Sequence, residues 1–452
     1  MALSDDEKDL IQQLQRELAR TRKQDVLMQR YYQGRQRVEQ LGMAIPPDMR
    51  RFLVITNWPR VVVDTLVARQ QVRSLVLPGE ETADPTLRAI WDANNLSAHI
   101  KMYNRDRKVF GRSFMSVGAN ESNPVLPLMR VEPPMSMAAL VDIRTESMEA
   151  AARFYTPPRR VGAKHVTLYV PGARIAVEKG RNGWEEVGDR DEYDGPIPIV
   201  MDLNRRLSGE WDGESEMTDI IPLTDSAARS LTNLQFAQEA HGIPRMWMTG
   251  VAKGDFVDAD GKPIPQFEAY FDAIQMLTKD NAKIGQLSAA DLKNFETSLT
   301  VYGKQAATVT GFPGRYFGLT TANPSSEGAI RAEEAELVRR CEDDNDEVGM
   351  TIGWAAALAY GYATGTEVAG NRVRVDWFDP ATPTVAQRMD AIVKAKQTGI
   401  VSREGAWDEL GWSEARKSKE RAYFEQEGET DPELAAARAL TTGNGATRAD
   451  AN

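Results

Sequence analysis

Thiols and imidazoles are scarce in this sequence: one cysteine, Cys341, and three histidines, His99, His165 and His241, stand among 452 residues. A single thiol excludes an intramolecular disulfide and any multi-cysteine zinc or iron–sulfur site, and it fits a reducing compartment. The histidines lie far apart and none falls in a His-Glu-x-x-His arrangement, so no metal centre is expected. Long apolar runs are missing too. The most apolar window, residues 348–363, is too short to span a bilayer and is diluted by glycine, while residues 1–20 lack the apolar core of a secretory signal. The expectation is a protein made and kept in cytoplasm, without membrane contact. Positive charge is in deficit: 55 Lys and Arg against 66 Asp and Glu leave a net charge of -11 and a pI near 5.1. General attraction to phosphate polymers is thereby excluded, and any nucleic-acid contact must be local or weak. What remains, 42% hydrophobic, 27% charged and 8% aromatic residues, is an ordinary globular composition. At roughly 150 residues per domain the length allows about three domains, or one elongated body with insertions.

The punctuation is readable. Ser4 with Glu7 forms a capping box ahead of Leu10, Ile11, Leu14 and Leu18 at helical spacing, and Gly34 and Pro46-Pro47 close that unit. Asn57-Trp58-Pro59 opens a second helix carrying Val61, Val62, Val63, Leu66 and Val67. Residues 109–199 alternate β-branched and aromatic residues with polar ones between turn signals. The clearest strand there is His165-Val166-Thr167-Leu168-Tyr169-Val170, which Pro171-Gly172 turns toward Arg174-Ile175-Ala176-Val177. Helical spacing returns at residues 223–241, with Leu223, Ala227, Leu231 and Leu234 on one face. Residues 249–267 read as an exposed excursion. A helix capped by Ser288 follows, with Leu292, Phe295, Leu299, Tyr302, Ala306 and Val309 as a seam, broken by Gly311, Pro313, Gly314 and Gly318.

A third long helix starts near Glu327. Residues 327–348 hold 12 charged residues beside a narrow stripe of Ile330, Leu337, Val338 and Cys341, so this helix is expected to face water or a polar partner rather than a monomer core. Arg372 to Trp377 reads as a strand, Thr384 with Gln387 opens a helix, Ser402 another, and residues from Gly428 on read as a tail, with 432–440 loosely helical. The fold class is α+β, mainly helical with one β-rich part.

No enzyme constellation emerges. Gly303-Lys304 lacks the other residues of a phosphate-cradling loop, and residues 255–261 miss calcium-loop spacing. Cys341 reads as a small buried hydrophobe, His165 and His241 as structural, and the acidic run 342–347 as a solvated face rather than a cation site. No catalytic residue, metal or cofactor is expected.

In order and spacing, Tyr31-Tyr32-Gln33-Gly34, Asn57-Trp58-Pro59-Arg60-Val61-Val62-Val63-Asp64, Gly111-Arg112-Ser113-Phe114, Ile197-Pro198-Ile199-Val200 with Asn204, Gly311-Phe312-Pro313, Ser325-Ser326-Glu327-Gly328-Ala329-Ile330-Arg331 and Gly399-Ile400-Val401-Ser402 are similar to one family. Over residues 25–415 the chain resembles the portal proteins of tailed double-stranded DNA phages, of the Gp6-like family.

The resemblance implies a portal fold. Residues 1–222 would be the wing, N-terminal helix plus β-rich part; 223–244 stem helix 1; 245–287 the clip; 288–312 stem helix 2; 313–384 the tunnel loop and wing helix; 385–430 the crown; and 431–452 a flexible tail. It implies a homo-oligomeric ring, usually dodecameric, at one capsid vertex of the virion, assembled in host cytoplasm. Double-stranded DNA would pass through it for packaging and ejection. Partners would be the major capsid protein, the terminase large subunit, the head–tail adaptor and scaffold protein. Thr320, Thr321, Asn323, Ser325 and Ser326 would form the DNA-facing tunnel loop, small and uncharged. Lys253, Lys262, Lys279, Lys283 and Lys304 are candidates for phosphate contact beside the plainer reading as solvated lysines, and Leu292, Phe295, Leu299 and Tyr302 for stem packing. At -11 per chain, a ring of twelve would carry roughly -130, letting a polyanion slide rather than stick. The alternatives are another virion ring or adaptor protein, and a cytoplasmic enzyme with an unrecognised carboxylate site.

Overall fold

The computed structural model describes residues 3–37, 54–120, 122–123, 125–157, 164–181, 183–242, 246–250, 283–286, 292–319, 327–369, 373–381, 385–412 and 414–430. The chain divides into two compact units after Pro380. No described helix is long and apolar enough to cross a membrane.

The first unit opens with α1 (Asp5–Gln33), whose capping box is formed: the Ser4 hydroxyl accepts from the Glu7 amide while the Glu7 carboxylate accepts from the Ser4 amide. Gly34, left-handed at φ 67°, ends it. Next come α2 (Trp58–Arg69), started by Pro59 as expected, and β1 (Val72–Val76). Two helices without an expectation in the sequence follow, α3 (Pro85–Ala93), capped by the Asp84 side chain, and α4 (Leu96–Phe110). The β-rich part is β2 (Arg112–Gly118), β3 (Leu128–Glu132), β4 (Met137–Asp142), β5 (Ser147–Tyr155), β6 (His165–Val170), β7 (Ala173–Gly180), β8 (Gly183–Glu186), β9 (Asp191–Glu192) and β10 (Ile199–Leu203). The expected strand and its Pro171-Gly172 turn are β6 and its link to β7, with Gly172 at φ 84°.

Two antiparallel layers result, one ordered β10-β2-β3 and one running β4-β5-β6-β7-β8, with β9 beside β7. The larger sheet buries Ala150, Ala152, Val166, Leu168 and Ile175 under Ile11 and Leu14 of α1, the stripe expected of that helix.

The unit continues with α5 (Ile221–Gly242), β11 (Met246–Thr249), β12 (Lys283–Gln286), α6 (Lys293–Thr310), α7 (Glu327–Thr364) and β13 (Arg374–Trp377). β11 and β12 pair antiparallel, and β13 pairs with β1 some 300 positions earlier in the chain. α6 is preceded by Leu292 at its cap, which makes no side-chain hydrogen bond; the expected cap, Ser288, lies outside the described residues. One expectation is corrected here. α7 is not confined to a polar margin. It runs for 38 residues, roughly 57 Å at 1.5 Å per residue, and its apolar second half enters the main core. There Val348, Ile352, Ala355 and Ala359 pack with Leu87, Ile90, Trp91 and Tyr103. Its charged first half also touches the interior, because Glu334, Asp344 and Asn345 are buried.

The second unit contains α8 (Val385–Gln397), α9 (Arg403–Glu409) and α10 (Glu414–Thr430). Ser402 caps α9 through the Gly405 amide, as its sequence indicates. The helix α10 overrides the expected tail boundary at Gly428. Trp407 is buried between the rings of Trp412 and Phe424, with centroids 5.7 and 5.8 Å away, and Arg421 clamps Glu404 at 2.7 Å.

Candidate functional site

α5 and α6 pack side by side, and between them and the turn after α6 lies a groove of about 670 Å³. Leu231, Leu234, Leu292, Leu299, Phe317 and Leu319 supply its apolar lining. Of the four residues expected to pack a stem, Leu292 and Leu299 line this groove, while Phe295 and Tyr302 are half-buried elsewhere on α6. The seam does not continue as read: Ala306 is fully buried but Val309 is 46% exposed. Lys304 is exposed on α6 and Lys283 on β12. Lys253, Lys262 and Lys279 lie outside the described residues, as do Thr320, Thr321, Asn323, Ser325 and Ser326, the calcium-like stretch and Ser288.

The chain's approach to that threonine- and serine-rich segment is well defined. Gly311 ends α6 at φ 68°, Pro313 starts a 3-10 turn over Gly314–Phe317, and Gly318 follows at φ 81°. The turn is held by aromatic packing: Phe317 meets Trp58 edge-on at 5.6 Å, and Phe312 meets Tyr316 at 5.9 Å. Gly303 of α6 lets this turn approach closely, since a Cβ there would sit 3.2 Å from the Phe317 carbonyl. On the far side of the segment, Glu334 of α7 is gripped by Arg315 and by Arg69, the latter at 3.1 Å. Both flanks of residues 320–326 are thus anchored to the same body.

Behind these flanks, α4 presents Arg107 and Lys108 to a buried ionic cluster. Arg107 lies 3.0 Å from Asp202 of β10 and 2.9 Å from Glu347 of α7, and it also pairs with Asp344. Lys108 donates to Asn204 at 2.8 Å, Asp344 at 2.7 Å and Glu216 at 3.2 Å. Gln70 donates to Asp344 at 2.7 Å, and Arg340 pairs with Glu216. Burial pulls the Asp344 carboxyl upward, but Lys108 and Arg107 outweigh it and hold it below the usual range. Glu216 is lowered likewise, Lys108 and Arg340 overcoming its burial. Asp202 is pushed up to about 6 because burial outweighs Arg107.

The cluster corrects the reading of residues 342–347 as a solvated face: Asp344 and Asn345 are buried, Glu347 is exposed but reaches back to Arg107, and Glu342, Asp343 and Asp346 are exposed. Its chemistry is charge cancellation, with no open position for a substrate. The sequence signal that could have found it is the Arg107-Lys108 pair inside an otherwise core-directed helix. His165 stacks on Tyr155 at 5.6 Å, and Cys341 is buried with its thiol pushed up to about 11, chiefly by burial. Among the described residues, no group of three or more His, Cys, Asp or Glu is placed to hold a metal ion.

Comparison with known proteins places this architecture. The family model described as phage portal protein, SPP1 Gp6-like, matches residues 8–433. The portal proteins of Mycobacterium phage D29 and Mycobacterium phage L5 are each 32% identical over 410 residues, covering 88% of this chain and 84% of the relative. Among solved structures, a chain from the neck of a native gene transfer agent particle computed with C12 symmetry aligns at TM-score 0.44 and 13% identity, over 81% of this chain and 94% of that one. A chain from the virion of the native particle aligns at TM-score 0.46 and 14% identity, over 82% and 96%. With the match spanning α1 to the end of α10, the chain belongs to the SPP1 Gp6-like family of phage portal proteins.

Proposed function

We propose that this portal protein closes into a homo-oligomeric ring, twelve copies in the reading taken here, at one vertex of the capsid. Double-stranded DNA is packaged and later ejected through it. The observation that carries the reading is the family match over residues 8–433, joined to an α5–α6 pair whose far ends lead into the β11–β12 strand pair. In this reading residues 223–244 and 288–312 are the stem, residues 245–287, which include β11 and β12, are the clip that receives the terminase large subunit and then the head–tail adaptor, and residues 318–326 face DNA as the tunnel loop. The outer sheets meet the major capsid protein, and scaffold protein assists closure in the host cytoplasm. The role is structural, with the energy for packaging supplied by the terminase. An acidic chain suits a conduit, since each phosphate neutralised by a lining cation would strengthen retention.

Two measurements test it. The purified assembly should have a mass of about 600 kDa for twelve 50.2 kDa chains, with a central channel in averaged images. Shortening residues 318–326 should leave that ring intact and reduce packaged DNA. A particle without this chain at the unique vertex would refute the function, and unchanged packaging by the shortened loop would remove that loop from it.

A further inference from the structure

Two exposed helix faces carry complementary charge that the chain itself leaves unused. On α1, Arg16, Arg20, Lys23, Leu27 and Arg30 recur at steps of three and four on the side opposite the buried Ile11, Leu14 and Met28. Arg20 is committed to Glu17 and Asp212, but Arg16, Lys23 and Arg30 make no ion pair among the described residues, and Leu27 is 42% exposed. On α7, Asp343, Asp346, Met350 and Trp354 share the face turned away from Cys341, Asp344 and Val348. Asp343 and Asp346 likewise have no partner among the described residues, and Met350 and Trp354 are 64% and 46% exposed. Arg339 is the one cation on that face beside the acids.

The two stripes match in length as well as sign. From Arg16 to Arg30 the α1 face extends roughly 21 Å, and from Asp343 to Trp354 the α7 face extends roughly 17 Å. Each combines charges with exposed apolar side chains, the composition of an interface rather than of a solvated helix. Within the chain the two helices serve different neighbours: α1 packs on α4 and β4, α7 on β2, β10 and β13. Two unlike patches on one molecule form a head-to-tail contact, the kind that closes into a ring when the rotation between copies closes and otherwise grows a filament.

We propose that the α1 stripe of one copy seats against the α7 stripe of its neighbour, with Arg16 and Lys23 facing Asp343 and Asp346, and Leu27 meeting Met350 or Trp354. The proposal rests on the ring reading above and names the surface that makes the ring. Charged rims of this kind set partner choice and association rate.

Charge exchange tests it. Arg16→Glu/Lys23→Glu and Asp343→Lys/Asp346→Lys should each lower the assembled fraction about tenfold at low salt. Thermal melting of both should stay near wild type, because the four positions are exposed and unpaired. The chain carrying all four substitutions, or an equal mixture of the two double variants, should recover assembly to within about twofold of wild type. Assembled fraction is read by native mass spectrometry and sedimentation, for the chain alone and co-expressed with its capsid and scaffold proteins. A wild-type chain that never assembles in either setting overturns the ring reading itself. A wild-type ring with both double variants still fully assembled overturns only this contact. Normal assembly of Arg16→Glu/Lys23→Glu with weakened DNA retention also overturns it, and assigns the α1 stripe to DNA.

Discussion

Arg340 of α7 donates from Nη1 to the carbonyl oxygen of Thr310 at 2.6 Å, so the last residue of α6 is capped by a side chain from another helix. The other amino group of the same guanidinium pairs with Glu216, five residues before α5 begins. One side chain therefore ties the entry to α5, the exit from α6 and the body of α7.

Arg340→Met is expected to destabilise the chain by about 2–3 kcal/mol, since it strands a carbonyl and leaves the buried Glu216 carboxylate with Lys108 as its one cation and Asn204 as a neutral donor. Arg340→Lys, a point charge in place of a fork, should recover roughly half. Denaturant midpoints check the energy, and amide exchange at Gly311 and Phe312 checks the location.

Gly111 and Gly213 touch backbone to backbone. A Cβ on Gly111, at φ 78°, would lie 2.3 Å from the Gly213 carbonyl, and neither peptide can yield because the Gly111 carbonyl also accepts from the Asn204 amide at 2.8 Å. Gly111→Ala should cost more than about 3 kcal/mol. Gly172→Ala, left-handed at φ 84° but in open space, should cost only about 1 kcal/mol. Equal melting temperatures for the two variants would contradict this account.

Removing the Asp344 charge leaves Arg107 and Lys108 underpaired in the interior, so Asp344→Asn should destabilise by about 3–5 kcal/mol at pH 7. The pH dependence follows from the lowered carboxyls. Asp344 and Glu216 titrate below their ordinary 3.8 and 4.5, so their contribution is present above those values and is lost as pH falls through the lower folded-state range. An acid titration of stability should be steeper below about pH 4 for wild type than for Asp344→Asn.

Asp106 has the opposite sign. Partly buried on α4 and without an ion pair among the described residues, its carboxyl is pushed by burial from 3.8 up to about 7, with Arg105 opposing. The fold thus binds its proton more tightly than the unfolded chain does, and wild type loses stability as pH rises from about 4 to 7. Asp106→Asn removes that loss. After discounting for solvent, it should be about 1–2 kcal/mol more stable than wild type at pH 8 and about equal near pH 4, as read from urea midpoints at both.

Local punctuation carried the sequence reading a long way. Ser4 with Glu7, Pro59, Pro171-Gly172, Gly311 and Ser402 each act within a turn or two of chain, and each sits where its chemistry requires. Long-range pairing was illegible. Nothing near Val72 says that its strand partner is Trp377, and nothing in the run from Glu342 to Glu347 says that only Asp344 and Asn345 are buried. A periodicity count finds the narrow apolar stripe of α7 but misses that buried carboxylates widen it, because their compensation comes from residues over two hundred positions away. On α6, the spacing picks out Leu292 and Leu299, which line the groove against α5, but not where contact with that helix stops: Ala306 is buried and Val309 stays exposed.

Cys341 gives the chain a silent clock. Its sulfur sits in the core formed by Val62, Val63, Phe312 and Phe317, and a thiol that ionises only near 11 stays protonated at neutral pH. Alkylating reagents can reach it only when α7 lifts from that core. The rate at which a maleimide consumes this one thiol therefore times the parting of α7 from the turn after α6 in the purified chain, with no second thiol to confuse the count.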